Sequence, residues 1–261
     1  MFRKLKSYVV AHFQSVWAAF IFFTRLPFWR VYQPPKESYQ TVVEHWPLVG
    51  WLTGGVTALT LFFAYHVVPF PVAVVLAVVV RLFLTGALHE DGLADFFDGF
   101  GGGVTRERTL AIMKDSHIGT YGVIALVFYF LLLCGLLCCL SPMLAVFTIF
   151  AADPFAKLLS SQIVSFMPYA RTESEAKNKT VYRPIGMLAT LGLGIEGLLP
   201  SLPFIFLTGT AWRLVIFLPI LCVAFLFFVI WRRLRGYTGD CCGAVCLLTE
   251  LSFYLATLIV V

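Results

Sequence analysis

The sequence predicts an all-α protein, a polytopic membrane helical bundle of about seven spanning helices with its active site on the cytoplasmic face. Three observations carry this. Hydrophobic residues make up 60% of the 261 positions and charged residues only 13%, with a mean hydropathy of +0.89; soluble domains do not have that composition. Seven apolar segments are long enough to cross a bilayer as helices. The basic residues fall in alternate connections, as in a membrane protein with one cytoplasmic polar surface.

Taken in order, the first apolar segment is Tyr8–Thr24. It carries His12 and Gln14 and has cations on both flanks, which favours an interfacial or re-entrant helix over a span. No small-residue cleavage site follows it; Arg25-Leu26-Pro27 stands there instead, so a cleaved signal peptide is not expected. The spans expected after it are Trp46–His66, Pro71–Leu88, Thr120–Leu140, Pro142–Met167, Ile185–Leu207, Trp212–Ile230 and Gly243–Val261. Sixteen of the nineteen Lys and Arg lie in five clusters: Arg3/Lys4/Lys6, Arg25/Arg30/Lys36, Arg106/Arg108/Lys114, Arg171/Lys177/Lys179/Arg183 and Arg232/Arg233/Arg235. The connections near Val67–Phe70, Ser141 and Thr208–Ala211 have none. This alternation predicts a multi-pass protein of the cell (inner) membrane with its catalytic loops cytoplasmic. The net charge of +5 reflects that bias and attraction to the anionic heads of the lipid bilayer. No basic-aromatic pattern argues for nucleic acid. The seven cysteines form no CxxC ladder and read as small apolar residues. Without repeats or linkers, residues 1–261 read as one membrane domain; homo-oligomerisation stays open.

The longest polar insert runs from His89 to Gly122. It holds Glu90, Asp91, Asp95, Asp98, Glu107 and Asp115, six of the chain's fourteen carboxylates. Wound as a helix at about 100° per residue, it brings Asp91, Asp95 and Asp98 onto one face, with Leu93, Phe96, Phe97 and Phe100 opposite. Such a row is often only a solvated face. Here it is followed by a glycine-rich stretch, Gly99–Gly103, and by Arg106, Arg108 and Lys114. Carboxylates suited to Mg²⁺, backbone N–H groups at Gly101, Gly102 and Gly103 and cations suited to phosphate together point to a metal-bridged diphosphate. Asp115 and His117 close the segment. His89 and Glu90 project toward the phenylalanine side.

Other polar residues lie inside spans. Glu250 stands mid-helix, where a carboxylate costs a few kcal/mol unless partnered. Arg81 with Asp153, or Asp153 with Lys157, reads as a structural ion pair. Glu196 has no evident partner. Asp240, in the Tyr237-Thr238-Gly239-Asp240 turn before the last span, is expected to share the cytoplasmic surface with the acidic segment and to add a metal carboxylate. Arg25 reads as a snorkelling anchor.

HEDGLADFFDG followed by MKDSHIGTYG, with FFTRLPF, WPLVGWLTGG and GYTGDCCGAVCLLTEL elsewhere, resembles the cobalamin (cobamide) synthase family, adenosylcobinamide-GDP ribazoletransferase. The resemblance covers nearly the whole chain. It implies a Mg²⁺-dependent membrane transferase that joins adenosylcobinamide-GDP to α-ribazole or its 5′-phosphate. The ribazole 3′-hydroxyl attacks the β-phosphate and GMP leaves. On that reading Asp91, Asp95, Asp98 and Asp240 hold Mg²⁺, one of these or Asp115 takes the hydroxyl proton, and Lys114, Arg106 and Arg108 meet the phosphates. Arg25, His89, Gly101–Gly103, His117 and Asp240 join the substrate-binding set. Three positions depart from the family pattern: Glu90, where an apolar residue is common; Asp153-Pro154 in place of a Ser-Arg pair, with Lys157 as the stand-in cation; and His117, where Arg is frequent. A CDP-alcohol phosphotransferase is the alternative enzyme, but Ala94 is followed by Asp95 rather than the Arg its motif needs. An ion-coupled transporter using Arg81, Asp153, Glu196 and Glu250 is the alternative outside enzymes; no discontinuous, repeat-related helices support it.

Overall fold

The computed structural model describes residues 2–171, 181–208 and 212–261, with side chains from residue 9 onward except at 208 and 212. Lys177, Lys179 and the tip of the Thr208–Ala211 connection lie outside the described residues. The described chain is helical, and the connection between Phe23 and Trp46 carries the 3₁₀ stretches Phe28–Arg30 and Lys36–His45. In order the helices are α1 (Phe2–Phe23), α2 (Trp46–Ala64), α3 (Phe70–Thr85), α4 (Leu88–Gly102), α5 (Arg106–Lys114), α6 (Thr120–Cys138), α7 (Pro142–Ser161), α8 (Ile163–Phe166), α9 (Met187–Leu198), α10 (Leu202–Thr208), α11 (Trp212–Leu234) and α12 (Gly239–Val260). Among the described residues six helical stretches are long and apolar enough to span, or seven if α3 and α4 count as one bent span. The apolar part of α1, Val9–Phe23, is shorter.

The helix starts follow local chemistry. Proline opens α2, α3 and α7, where its missing N–H has no helical partner to lose. Thr105 and Thr238 cap α5 and α12, their hydroxyls accepting from the Arg108 and Cys241 amides. Helices α7 and α12 form the buried centre, while α6 and α11 turn Val127, Phe128, Leu131, Phe217, Phe225 and Phe228 outward. An apolar exterior of this extent is what lipid contact requires.

Glycines set the central crossings. A Cβ on Gly50 of α2 would stand 2.8 Å from Pro154 Cα of α7, and one on Gly54 2.9 Å from Asp153 Cβ. Helices α4 and α12 meet through a reciprocal pair. A Cβ on Gly92 would lie 3.1 Å from Asp240 Cα, and one on Gly243 3.1 Å from His89 O. Close approach of two backbones needs such small residues.

The structure revises several expectations. The third element does not continue to Leu88 as a straight span: α3 ends at Thr85 and the axis turns by 90° into α4. Gly86 (φ +64°) and Ala87 (φ 54°) make the turn in the left-handed region. The acidic segment is thus an arm of α4 rather than a free loop. Gly99–Gly103 is not an anion-binding turn, because α4 stays helical to Gly102. Its glycines admit neighbours instead: a Cβ on Gly101 would lie 2.5 Å from the Tyr121 ring, and Gly99 and Gly103 pack on Met113 and Thr109 of α5. Helix α12 begins at Gly239, four residues before the expected start, so Asp240 sits in its first turn, where the helix dipole favours a carboxylate.

Of the two ion pairs the sequence allows, the structure forms Asp153–Lys157 and not Arg81–Asp153. Arg81 donates to both oxygens of Glu250, at 2.6 and 2.7 Å, rather than pairing with Asp153. Tyr254 donates to Glu250 as well. Asp153 takes Lys157 and the Thr53 hydroxyl, the latter at 2.8 Å. Glu196 faces His45, with Nδ1 at 3.8 Å. Arg81, Glu250, Asp153 and Lys157 therefore each have an opposite charge beside them, the condition for keeping them buried there.

Candidate active site

The α4–α12 crossing carries a cavity with about 820 Å³ of empty space, its mouth included. Asp91 and Gly92 come from α4, Gly239, Asp240, Cys242 and Gly243 from α12, and Phe22 and Phe23 from α1. Trp46 and His89 stand on its walls, and Tyr169, Arg171 and Tyr182 line it from the connection after α8. That connection is tied down by backbone pairing: Ala170 N donates to Tyr237 O at 2.8 Å and Tyr237 N to Pro168 O at 3.0 Å. The pairing holds Tyr169 and Arg171 beside the start of α12. Burial pushes the Tyr169 hydroxyl up to about 12, and those of Tyr182 and Tyr237 above their ordinary value. All three stay neutral at physiological pH.

The carboxylates singled out in the sequence separate here. Asp91 and Asp240, distant in the chain, line the same cavity. Asp91 is exposed and Asp240 buried. Asp95 lies one turn beyond Asp91 on α4, half-buried. Asp98 does not join them. Its two oxygens accept from the amides of Gly119, at 2.6 Å, and Gly122, at 2.8 Å. It is a buried clasp on the first turn of α6, with its lone pairs directed at a helix N-terminus. Among the described residues no three His, Cys, Asp or Glu side chains stand close enough to form a ready-made metal cage.

The cations divide similarly. Arg106 donates to Leu234 O at 2.8 Å and to Ala170 O at 2.6 Å, so its fork ties α5 to the end of α11 rather than waiting for phosphate. Arg233 donates to Gly103 O and Arg171 to Leu110 O at 2.9 Å. Arg108 and Lys114 are exposed on α5 and do not line the cavity. Lys157, buried against Asp153, does not reach it either. The Arg25 amide donates to Leu84 O at 2.7 Å and its side chain lies over Gly86, bracing the 90° turn. Asp115 and His117 form an exposed pair, 2.7 Å apart. The His117 side chain and amide hold the Asp115 carboxyl below its usual range, which weakens it as a base.

Sequence reasoning missed Trp46, Tyr169, Arg171 and Tyr182 as members of one cavity. Trp46 stands in the WPLVGW segment and Arg171 in a basic cluster, but only the fold shows that they meet.

The profile of the cobalamin-5-phosphate synthase family matches residues 15–258. The chain belongs to that family. It is 36% identical over 243 residues to an adenosylcobinamide-GDP ribazoletransferase of Shewanella baltica strain OS155, covering 92% of this chain and 91% of the relative. To the Leptothrix cholodnii protein of the same name it is 39% identical over 253 residues, covering 91% and 92%. The Leptospira interrogans protein of that name is 31% identical over 245 residues, again covering 91% and 92%. No solved structure matches the fold. Within the cobalamin-5-phosphate synthase family, then, the α4–α12 cavity is the place where this chain collects carboxylates, a cation and aromatic rings.

Proposed function

We propose that the chain is a Mg²⁺-dependent adenosylcobinamide-GDP ribazoletransferase. The 3′-hydroxyl of α-ribazole, or of its 5′-phosphate, attacks the β-phosphate of adenosylcobinamide-GDP. The new P–O bond forms as the bond to GMP breaks, and the hydroxyl proton passes to a base. The carrying observation is that Asp91 and Asp240, 149 positions apart by number, line one cavity that also presents Arg171.

The donor set suits Mg²⁺, which is commonly held by one or two carboxylates together with substrate phosphates and water rather than by an all-protein cage. Asp91 and Asp240 are the ligands on this reading, with Asp95 one turn away. Bound there, Mg²⁺ would neutralise charge on the diphosphate. Arg171, which lines the same cavity, would meet the same charge and, already anchored on Leu110 O, lose little freedom in doing so. One of Asp91, Asp95 and Asp240 is better suited than Asp115 to accept the hydroxyl proton, since Asp115 is exposed and engaged by His117. The basic-loop alternation supports an inner-membrane location with this cavity on the cytoplasmic side.

The test is GMP release from adenosylcobinamide-GDP by the purified protein with α-ribazole, with and without EDTA. Release that depends on both substrates and stops with EDTA is expected; release indifferent to EDTA would remove the metal from the reading. Ion flux across reconstituted vesicles without GMP release would favour the transporter.

A further inference from the structure

The cavity has an apolar side that the diphosphate chemistry does not use. Phe23 and Trp46 stack with ring centroids 5.1 Å apart and planes 10° from parallel. His89 continues the set, 5.5 Å from Trp46 at 24° and 6.1 Å from Phe23 at 14°. Three near-parallel rings from three helices thus share one wall of the cavity. Phe22 and Tyr182, edge to face at 6.3 Å, stand on another side. Two ring nitrogens of this set, Trp46 Nε1 and His89 Nε2, are buried without a hydrogen-bond partner. Trp46 is 1% exposed and His89 4%. An unsatisfied buried indole N–H costs stability unless a ligand takes it.

We infer that this wall seats the bicyclic base of α-ribazole, with the bare ring nitrogen of that base accepting from the Trp46 indole N–H. The inference rests on the activity proposed above and names the subsite for one of its two substrates. A benzimidazole-type base is a flat, largely apolar double ring with a single unsubstituted acceptor nitrogen. It matches a parallel aromatic wall that offers few polar groups. Guanine, the purine attached to the reacting diphosphate, carries several donors and acceptors. Against this wall most of them would lose water and gain nothing. Seated here, the base would leave the attached ribose in the cavity that Asp91 and Asp240 also line.

Two comparisons test this. In the wild-type protein, an α-ribazole analogue with CH in place of the bare ring nitrogen should bind about tenfold more weakly than α-ribazole, as loss of one buried hydrogen bond predicts. The Trp46→Phe variant, which keeps an aromatic ring and loses the N–H, should raise KM for α-ribazole about tenfold. It should leave KM for adenosylcobinamide-GDP unchanged and no longer distinguish the analogue. Equal binding of the analogue by the wild type would overturn the inference without any variant. A KM shift confined to adenosylcobinamide-GDP would also overturn it and seat guanine here. If the wild type released no GMP, the activity would fail separately. Equilibrium dialysis with labelled α-ribazole would then still decide the subsite, because retention weakened by Trp46→Phe supports it and absence of retention refutes it.

Discussion

Two groups of charged side chains sit close together in this bundle and obey opposite rules. Beneath the α4–α12 crossing, Arg81 meets Glu250 and Lys157 meets Asp153, each pair fully buried and helped by Tyr254 or Thr53. At the crossing itself, Asp91 and Asp240 bring two like charges to one cavity. The first group satisfies itself within the protein and can remain in hydrocarbon. The second lines a cavity with two carboxylates and the Arg171 guanidinium, a set suited to a cation and the phosphates it bridges. Whether charged groups close on one another or line a cavity separates scaffold from site here. Three of the four residues in the transporter alternative, Arg81, Asp153 and Glu250, belong to the first group, where each is already paired.

Breaking the buried group should have the largest effect. Arg81→Ala leaves Glu250 uncompensated and should destabilise the protein by about 3–5 kcal/mol, read as lost accumulation in the membrane and a lower Tm in detergent. The double replacement Arg81→Met with Glu250→Leu should restore most of that stability. If it restored folding but abolished GMP release, the pair would belong to the site and the contrast would collapse.

Next comes the cavity group. Asp91→Asn and Asp240→Asn should each lower turnover by about two orders of magnitude and raise the Mg²⁺ concentration for half-maximal activity, with normal accumulation. Their combined effect should be less than additive. Additive losses at an unchanged Mg²⁺ requirement would mean that Asp240 only favours its helix end.

Asp98 sharpens the boundary between the two. Asp98→Asn replaces one acceptor oxygen by an amide that cannot accept from Gly119 or Gly122, and should destabilise by about 1–3 kcal/mol. Activity per folded molecule should keep its Mg²⁺ requirement; a shift in that requirement would return Asp98 to the metal. The smallest effect belongs to Asp115. Because its folded pKa is depressed, its contribution to stability is present above the unfolded value and disappears as pH falls through the folded one. Exposure makes that contribution slight. Asp115→Asn should therefore leave the pH–rate profile near neutrality unchanged, whereas loss of its acidic limb would identify Asp115 as the base.

The helices themselves were legible because apolar length and proline starts act locally. Trp46, Phe70-Pro71, Thr120 and Pro142 open helices at or within one residue of the places the sequence indicates. The family was legible too, since the HEDGLADFFDG and GYTGD segments stand intact in the sequence. Helical projection put Asp91, Asp95 and Asp98 on one face, and that is as far as a period of 3.6 residues can reach. Only the tertiary structure separated them, because Asp98 is claimed by the amides of α6 while Asp91 faces α12. The same holds for Glu250, whose partner lies 169 positions away by number on α3. It holds also for Arg106, whose fork is taken by carbonyls of α11 and of the Pro168–Ala170 stretch. Local periodicity determines which residues form a helix and which face is polar. Which partner arrives at that face depends on where the glycines let two backbones approach, and at Gly92 and Gly243 that approach joins Asp91 to Asp240.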